Sequence, residues 1–497
     1  MYHISDCKKY NRCPRLFVND RIYEKQVFRP FVRLDEAVTD LASQKLHLKD
    51  YYLGVQNDPP ERALAALNDH EWLVKARFEY DRLRIKVPFL HKTDRGWDLY
   101  FLFAGLYPHA DDMQFYCDTV WVLEGNGIKL NNIRMIHLNA DYVRGEQLDA
   151  DQLFLISDSF YNDRNHPTVR IKDAIAKNRR DLKPLLDAMD ASSLDTIKPP
   201  VRSPRCASRQ KCRFYDICFP EEKVQQNNSI LTLISSQHRY QMKKNGITEL
   251  KNADETLIEG SRQQYAQIMA DKQNGLFADG LALHAWLSGI VYPVTFLDFE
   301  WERYAIPPYV GMRPYDVLPF EYSIHIMQED HSLEHKVFLS VKDDRREMVD
   351  SMLRDIPETG TVIAYNADGA EKIRINEFAK QFPDAADRLL KINGRMKDLQ
   401  MPFAGGVIYD TRMSGTWSLK AIMAMMDDPG YKDLDINQGM DAVFQWRHLD
   451  REEKGIDAKT IEENLKKYCG MDSYAMAVVY KWLLELDTKW SSDNNKR

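Results

Sequence analysis

The stretch that most constrains this chain is Val294-Thr-Phe-Leu-Asp-Phe-Glu300. Its β-branched and aromatic residues, with Pro293 just before them, predict a buried β-strand. Asp298 and Glu300 stand two apart, so a strand puts both on one face. Two carboxylates side by side on an apolar strand repel each other and are costly to desolvate. A divalent cation between them removes both costs, and hard oxygen ligands of this kind suit Mg2+ or Mn2+. Taken alone, Asp-x-Glu more often marks an exposed strand end with surface acids.

Two later stretches change that weighting. Thr361-Val-Ile-Ala-Tyr-Asn366 predicts a second apolar strand, and Glu371 opens a helix over 371–380. Between Leu465 and Val479, apolar residues recur at Leu465, Cys469, Met476 and Val479, which predicts another helix. Tyr468 and Asp472 are i, i+4 there and share a face.

This ordered set resembles the DnaQ-like proofreading exonucleases of the DEDDy subclass. Their first motif, Asp-x-Glu, is matched by Asp298 and Glu300, and their third, Tyr-x3-Asp, by Tyr468 and Asp472. Their second is Asn, a short spacer, an aromatic and Asp. Here Asn366 is followed by Ala370 in the aromatic's place and Glu371 in the acid's, with Asp368 as the other candidate for that acid. The resemblance covers about residues 290–486 and extends to strands near 319–327 and 335–341 and a helix near 344–355. It implies a two-metal 3′→5′ exonuclease with an RNase H-like fold. Asp298 would bridge two Mg2+ or Mn2+ ions, Glu300 and Asp472 would hold one, and Glu371 would help to place the other. Tyr468 would orient the attacking water. Asn366, and Trp417, Ser418 and Lys420 beyond it, are candidates for substrate contact by stacking and phosphate binding. For the last three, ordinary loop packing is the competing reading.

A wider set of segments is similar to a bacterial family of unknown function that fuses a RecB-like nuclease module to a DnaQ-like module. The segments are 307–315, 398–403, 413–420 and 468–476. The chain has 497 residues, too many for one core, so several domains are expected. A formal net charge of −7 means that any grip on nucleic-acid phosphates must be local. No apolar run is long enough for a membrane span and the start lacks an apolar signal core, so a cytoplasmic protein is expected. In that compartment its seven cysteines are thiols or metal ligands.

Cys206, Cys212 and Cys218 form a C-x5-C-x5-C array, and Cys13 lies near the start. Four thiolates can hold zinc or an iron–sulfur cluster, and spacing wider than a zinc knuckle favours the cluster. One Cys at the start of a domain and three at its end resemble the iron–sulfur staple of RecB-like nucleases. That resemblance implies that these four are the ligands of a 4Fe–4S cluster. Cys7, Cys117 and Cys469 are expected to be packing residues.

The RecB-like resemblance also implies PD-(D/E)xK chemistry, with an Asp on one strand and Glu-x-Lys on the next. The strands expected here are 82–90 and 97–103, joined by a turn over 91–96. The first carries Pro88 where the Asp belongs, and the second carries Phe101-Leu-Phe103 in place of Glu-x-Lys. Neither Pro nor Phe can ligate a metal. The module is therefore read as a degenerate nuclease, with Asp98, Asp111, Asp112 and Asp118 nearby as acids expected to be solvated.

The expected organisation is α/β throughout: a RecB-like domain over 1–220, a helical connector over 221–290 and a DnaQ-like domain over 291–490. Helices are expected near 235–246, 261–274 and 281–287, and a disordered tail from Trp490. The expected function is trimming of single-stranded nucleic acid, DNA in preference to RNA, in DNA repair or in CRISPR or phage defence with protein partners. The rival class is a non-catalytic nucleic-acid-binding scaffold that has lost both active sites.

Overall fold

In the computed structural model the chain forms two compact units. One comprises 1–201, 205–220 and 303–316, the other 202–204, 221–302 and 317–497. The structure describes all residues except 24–31, 34–37, 207–210, 221–225, 427, 429, 437, 451–454, 456 and 495–497. Both units are mixed α/β, and among the described residues no helix is long and apolar enough to cross a membrane.

The first unit is built on a seven-stranded sheet. Its strands are β1 (Tyr2–His3), β2 (Tyr51–Leu53), β3 (Trp72–Tyr80), β4 (Leu83–Thr93), β5 (Gly96–Phe103), β6 (Leu130–Leu138) and β7 (Phe154–Ser157). They run in the order β2-β3-β4-β5-β6-β7, with β1 pairing beside β4. A separate pair, β8 (Ser159–Tyr161) and β9 (Pro167–Arg170), is antiparallel. The β4–β5 hairpin turns on Asp94 and Arg95 alone, a tighter connection than the turn expected over 91–96. Pro88 sits inside β4, where it removes a ladder donor. Across from it the register steps from Val74↔Phe89 to Ala76↔Val87, and Lys75 between them adopts φ 51°.

Phe101 is buried, with its ring 4.8 Å from that of Tyr116. The strand position expected to carry catalytic groups is thus core. Two of the nearby acids differ from expectation. Asp98 is buried, accepting from Asn131 Nδ2 at 2.8 Å and pairing with Arg134, and Asp118 is buried against Arg180 at 3.2 Å. Consecutive apolar residues in β5 send Leu99 and Phe101 to one face of the sheet and Tyr100 to the other, and each face carries an apolar cluster. One apolar cluster includes Leu73, Phe78, Leu99 and Val120. The other gathers Phe89, Tyr100, Ile136 and Phe154 and is completed by Ala305 and Ile306 from the segment Arg303–Asp316. Backbone bonds fix that segment: Ala305 N–H donates to the Arg33 carbonyl at 3.1 Å and Gly311 N–H to that of Arg144 at 2.8 Å.

The second unit holds a five-stranded sheet of β11 (Val294–Arg303), β12 (Val317–Met327), β13 (Leu333–Leu339), β14 (Thr361–Ala364) and β15 (Met396–Asp398). A smaller antiparallel pair joins β10 (Leu276–Ala278) to β16 (Ile408–Asp410). The larger sheet runs β13-β12-β11-β14-β15, with β12 and β13 antiparallel and β11, β14 and β15 mutually parallel. Strand order therefore switches direction at β11, the first strand of the sheet in sequence. In open α/β sheets such a switch opens a crevice beyond the carboxyl ends of the parallel strands, where ligands bind.

The stretch 221–290 lies in this unit and contains helices Arg239–Lys244, Arg262–Lys272 and Gly280–Leu287. Ala266, Ala270, Leu283 and Leu287 from it pack into the same cluster as Phe296, Met476 and Tyr480. A second cluster, around Leu297, Phe299, Tyr322, Val362 and Phe378, fills the opposite face of the sheet. Fully buried Glu302 is answered by Arg447, whose Nη2 donates to Oε1 at 3.0 Å and whose Nε donates to Oε2. The C-terminal helix runs from Ala458 to Asn494, so the tail expected to be disordered from Trp490 is helical through Asn494, and 495–497 lie outside the described residues.

Candidate metal centre

Strand β11 carries Asp298 and Glu300 on one face, as their spacing requires, and both are half-buried. The helix Ala458–Asn494 brings up Tyr468 and Asp472 one turn apart. Its seat against β12 is specific. Ser473 Oγ lies 2.8 Å from Ser323 Oγ and 2.8 Å from His325 Nδ1. Ser323 Oγ also meets His335 Nε2 at 3.0 Å, and the two imidazoles stack at 4.4 Å. Gly470 permits this approach, because a Cβ there would stand 3.2 Å from the His335 ring. The result is that one carboxylate oxygen from each of Asp298, Glu300 and Asp472 lies within 4.8 Å of the other two. Among the described residues no other three His, Cys, Asp or Glu side chains do this.

The surroundings tune these acids. Burial raises the Asp298 carboxyl well above its ordinary range, and Asp472 raises it further against the pull of the Cys469 thiol and Lys420. Burial likewise raises Glu300, followed by the charges of Asp298 and Asp472. Asp472 is pushed by burial to about 6, with Tyr431, Lys420 and Tyr468 opposing the rise. A cation among carboxyls crowded in this way offsets their mutual repulsion and favours the ionised form of all three. The donor set is hard oxygen throughout, which fits Mg2+ or Mn2+.

The second-motif acids separate cleanly. Glu371 opens the helix Glu371–Gln381 and is buried, with Oε2 unpartnered; burial raises its carboxyl and the nearby charge of Asp298 raises it more. Asp368 is exposed and pairs with Lys372 at 2.7 Å. Of the two, Glu371 is the buried one, and its carboxyl feels the charge of Asp298.

Tyr468 is buried and hydrogen-bonds Asp472. Lys420 Nζ reaches its hydroxyl at 3.1 Å and lies 4.7 Å from its ring centroid and 4.9 Å from that of Tyr431. Tyr431 donates its own hydroxyl to Asp472 Oδ1. Burial pushes both phenols above their ordinary range, so both stay protonated at neutral pH.

The other substrate candidates are engaged locally. Asn366 adopts φ 61°, and its backbone N–H donates to Asp398 Oδ1 at 2.9 Å. The Trp417 carbonyl accepts from the Tyr365 hydroxyl, and its ring packs on the apolar cluster. Ser418 caps the helix Leu419–Met423 through Ala421 N–H.

Four residues of the site were not read from sequence. Tyr431 lies in a short polar turn with no periodic signal. Gly439 comes within van der Waals reach, since a Cβ there would stand 3.9 Å from the Glu300 carboxylate. Cys469, expected to be packing, is buried but also brings Sγ within 3.6 Å of Asp298 Oδ2. Glu321, on β12, is fully buried beside the cluster.

In the first unit, Cys13 joins the helices Ile4–Arg12 and Pro14–Ile22, and Cys212 N–H donates to the Cys206 carbonyl at 2.8 Å. Burial raises the Cys218 thiol; Arg15 opposes the rise, and Cys212, Cys13 and Cys206 all lie near enough to add to it. All four thiols are half-buried. Residues at both ends of the unit are tied by Arg15 Nε to the Lys198 carbonyl at 3.0 Å and by Asp20, which pairs with Lys9 and Arg213.

The fold and the carboxylate cluster define a mixed α/β protein with a candidate divalent-cation centre. A family model described as a domain of unknown function, DUF2779, matches residues 295–418. That span includes Asp298, Glu300 and Glu371 and stops short of Tyr468 and Asp472. Comparison with curated proteins and with solved structures gave no match.

Proposed function

We propose that the second unit is a DnaQ-like, metal-dependent 3′→5′ exonuclease acting on single strands, DNA in preference to RNA. The observation that carries this reading is the approach of Asp298, Glu300 and Asp472 to within 4.8 Å at the switch point of the sheet, with the Tyr468 hydroxyl on Asp472. Divalent ions bound there would neutralise phosphate charge and make water more acidic. The chain's own part is to hold and aim. Asp298, Glu300 and Asp472 supply the first ligands, and Glu371 adds a carboxylate from the helix after β14. The Tyr468 hydroxyl donates to Asp472 and accepts from Lys420, which leaves one lone pair to accept a hydrogen from water and so orient it. A phenol that stays protonated is an orienting group and not the general base. In hydrolysis the water oxygen bonds to phosphorus as the bond to the leaving 3′ oxygen breaks; a water proton passes to solvent and the leaving oxygen takes one from solvent, giving a nucleoside 5′-monophosphate and a new 3′-hydroxyl on the shortened strand.

The first unit is read as a RecB-like module that has lost its cutting residues and binds the strand, held by an iron–sulfur cluster on Cys13, Cys206, Cys212 and Cys218. Supporting this are the gathering of the four thiols around Cys218 and the core role of Phe101. DNA repair or CRISPR or phage defence is the setting such end-trimming would serve.

The test is incubation of the purified full chain with Mn2+ and end-labelled single-stranded DNA and RNA. Stepwise shortening from the 3′ end, lost in Asp298→Asn and with EDTA, is expected. Binding of the strand without shortening would leave the non-catalytic scaffold as the better reading.

A further inference from the structure

Eight acids among the described residues are buried below a tenth of their surface: Asp58, Asp98, Asp118, Glu302, Glu321, Glu371, Asp398 and Asp410. Six have answered carboxylates, from arginines at Asp58, Asp98, Asp118, Glu302 and Asp410 and from backbone N–H groups at Asp398. Glu371 has one unpartnered oxygen, and Glu321 has two. Glu371 already belongs to the metal centre. Glu321 alone among these eight has neither oxygen answered, and it is also next to that centre.

Its position follows from the seating of the C-terminal helix. Ser323 on β12 touches Ser473 on the helix. Two residues back along the strand on the same face is Glu321, and one turn back along the helix is Cys469. Cys469 Sγ in turn lies 3.6 Å from Asp298 Oδ2. Glu321 thus lies on the face of β12 that meets this helix, fully buried and near enough to Asp298 and Cys469 for their charges to act on one another.

We propose that Glu321 is a fifth carboxylate of the metal centre, ligating a divalent cation together with Asp298. The inference rests on the metal-centre reading above. A core position has no use for a carboxylate with both oxygens unanswered, and an apolar side chain of similar size would be cheaper there. A cation at Asp298 supplies the missing partner.

The test uses the full chain. Mn2+ binding is measured by titration calorimetry at pH 7.5 for the parent, Asp298→Asn and Glu321→Gln, and thermal unfolding is followed in EDTA. Glu321→Gln is expected to bind Mn2+ at least tenfold more weakly. In EDTA it should unfold a few degrees higher than the parent, because a buried charge-bearing group has become a neutral amide. Should Glu321→Gln fail to fold, Glu321→Asp takes its place and must also bind more weakly than the parent, since its oxygens are withdrawn by one methylene. If the parent binds Mn2+, Asp298→Asn does not, and the folded Glu321 variant binds as the parent does, Glu321 is no ligand and the proposal falls while the centre stands. If the parent itself binds no Mn2+, the centre falls and Glu321 with it.

Discussion

In the absence of metal, crowding of the acid cluster should make the second unit less stable as pH rises, and Asp472 sets the scale. Its folded-state value of about 6 lies above its ordinary 3.8. The unfolded chain therefore gives up this proton first as pH increases. For this group, stability falls between about pH 4 and pH 6 and is level above that. A difference of that size is worth about 3 kcal/mol at neutral pH. Asp472→Asn keeps the shape and one acceptor oxygen for Tyr431 but has no proton to lose. In EDTA at pH 7.5 it should be more stable than the parent by about 3 kcal/mol, and at pH 4.5 by only about 1 kcal/mol. Mn2+ at 100 times its Kd should return about 2.7 kcal/mol to the parent and little to the variant. Urea unfolding by tryptophan fluorescence is the assay, with the second unit's transition identified as the one that Mn2+ moves in the parent. A parent whose stability in EDTA is the same at both pH values, or a variant less stable than the parent at pH 7.5, would refute the reasoning.

Glu371→Ala should abolish metal-dependent shortening of an end-labelled strand, whereas Asp368→Ala, an exposed acid paired with Lys372, should leave the rate within about twofold; Tyr468→Phe should retain weak activity because water loses only its orienting group. Protein purified without oxygen should be brown with about four irons per chain. Cys206→Ser should bleach it, and a colourless parent with stoichiometric zinc would replace the cluster by a zinc staple. Arg447→Met removes the guanidinium that pairs with the fully buried Glu302 and should lower the stability of the second unit by about 3–5 kcal/mol in urea, with Mn2+ affinity unchanged.

Much of the second unit was legible because its elements carry strong local patterns. The strand expected over 294–300 is β11, and the expected helix at 371 begins at Glu371. The i, i+4 spacing of Tyr468 and Asp472 was enough to place both on one helix face. What was not legible depends on chain that is distant in sequence. Tyr431 reaches Asp472 from a turn without periodicity, and no local rule ties it to residue 472. Lys420, a candidate for substrate contact, stands over the rings of Tyr431 and Tyr468, a pairing that no local spacing foretells. Glu321 did carry a signal: it is a lone acid within the run Phe320-Glu-Tyr-Ser-Ile324, in a strand buried on both faces. In the first unit, local sequence gives no sign that Asp98 and Asp118 are buried, because their arginine partners lie 36 and 62 residues away.

The excursion of Arg303–Asp316 bears on the order in which the chain can fold on the ribosome. Ala305 and Ile306 complete an apolar cluster of the first unit, yet they leave the exit tunnel only after β11 has been made. Emergence of residue 220 therefore does not free the first unit to close. It must wait for roughly another hundred residues, on the order of ten seconds at about 5–20 residues per second. During that wait the apolar cluster of Phe89, Tyr100, Ile136 and Phe154 lacks the residues that complete it. The two units are thus born interleaved, and a gene cut at residue 220 would release a first unit that lacks part of its own core.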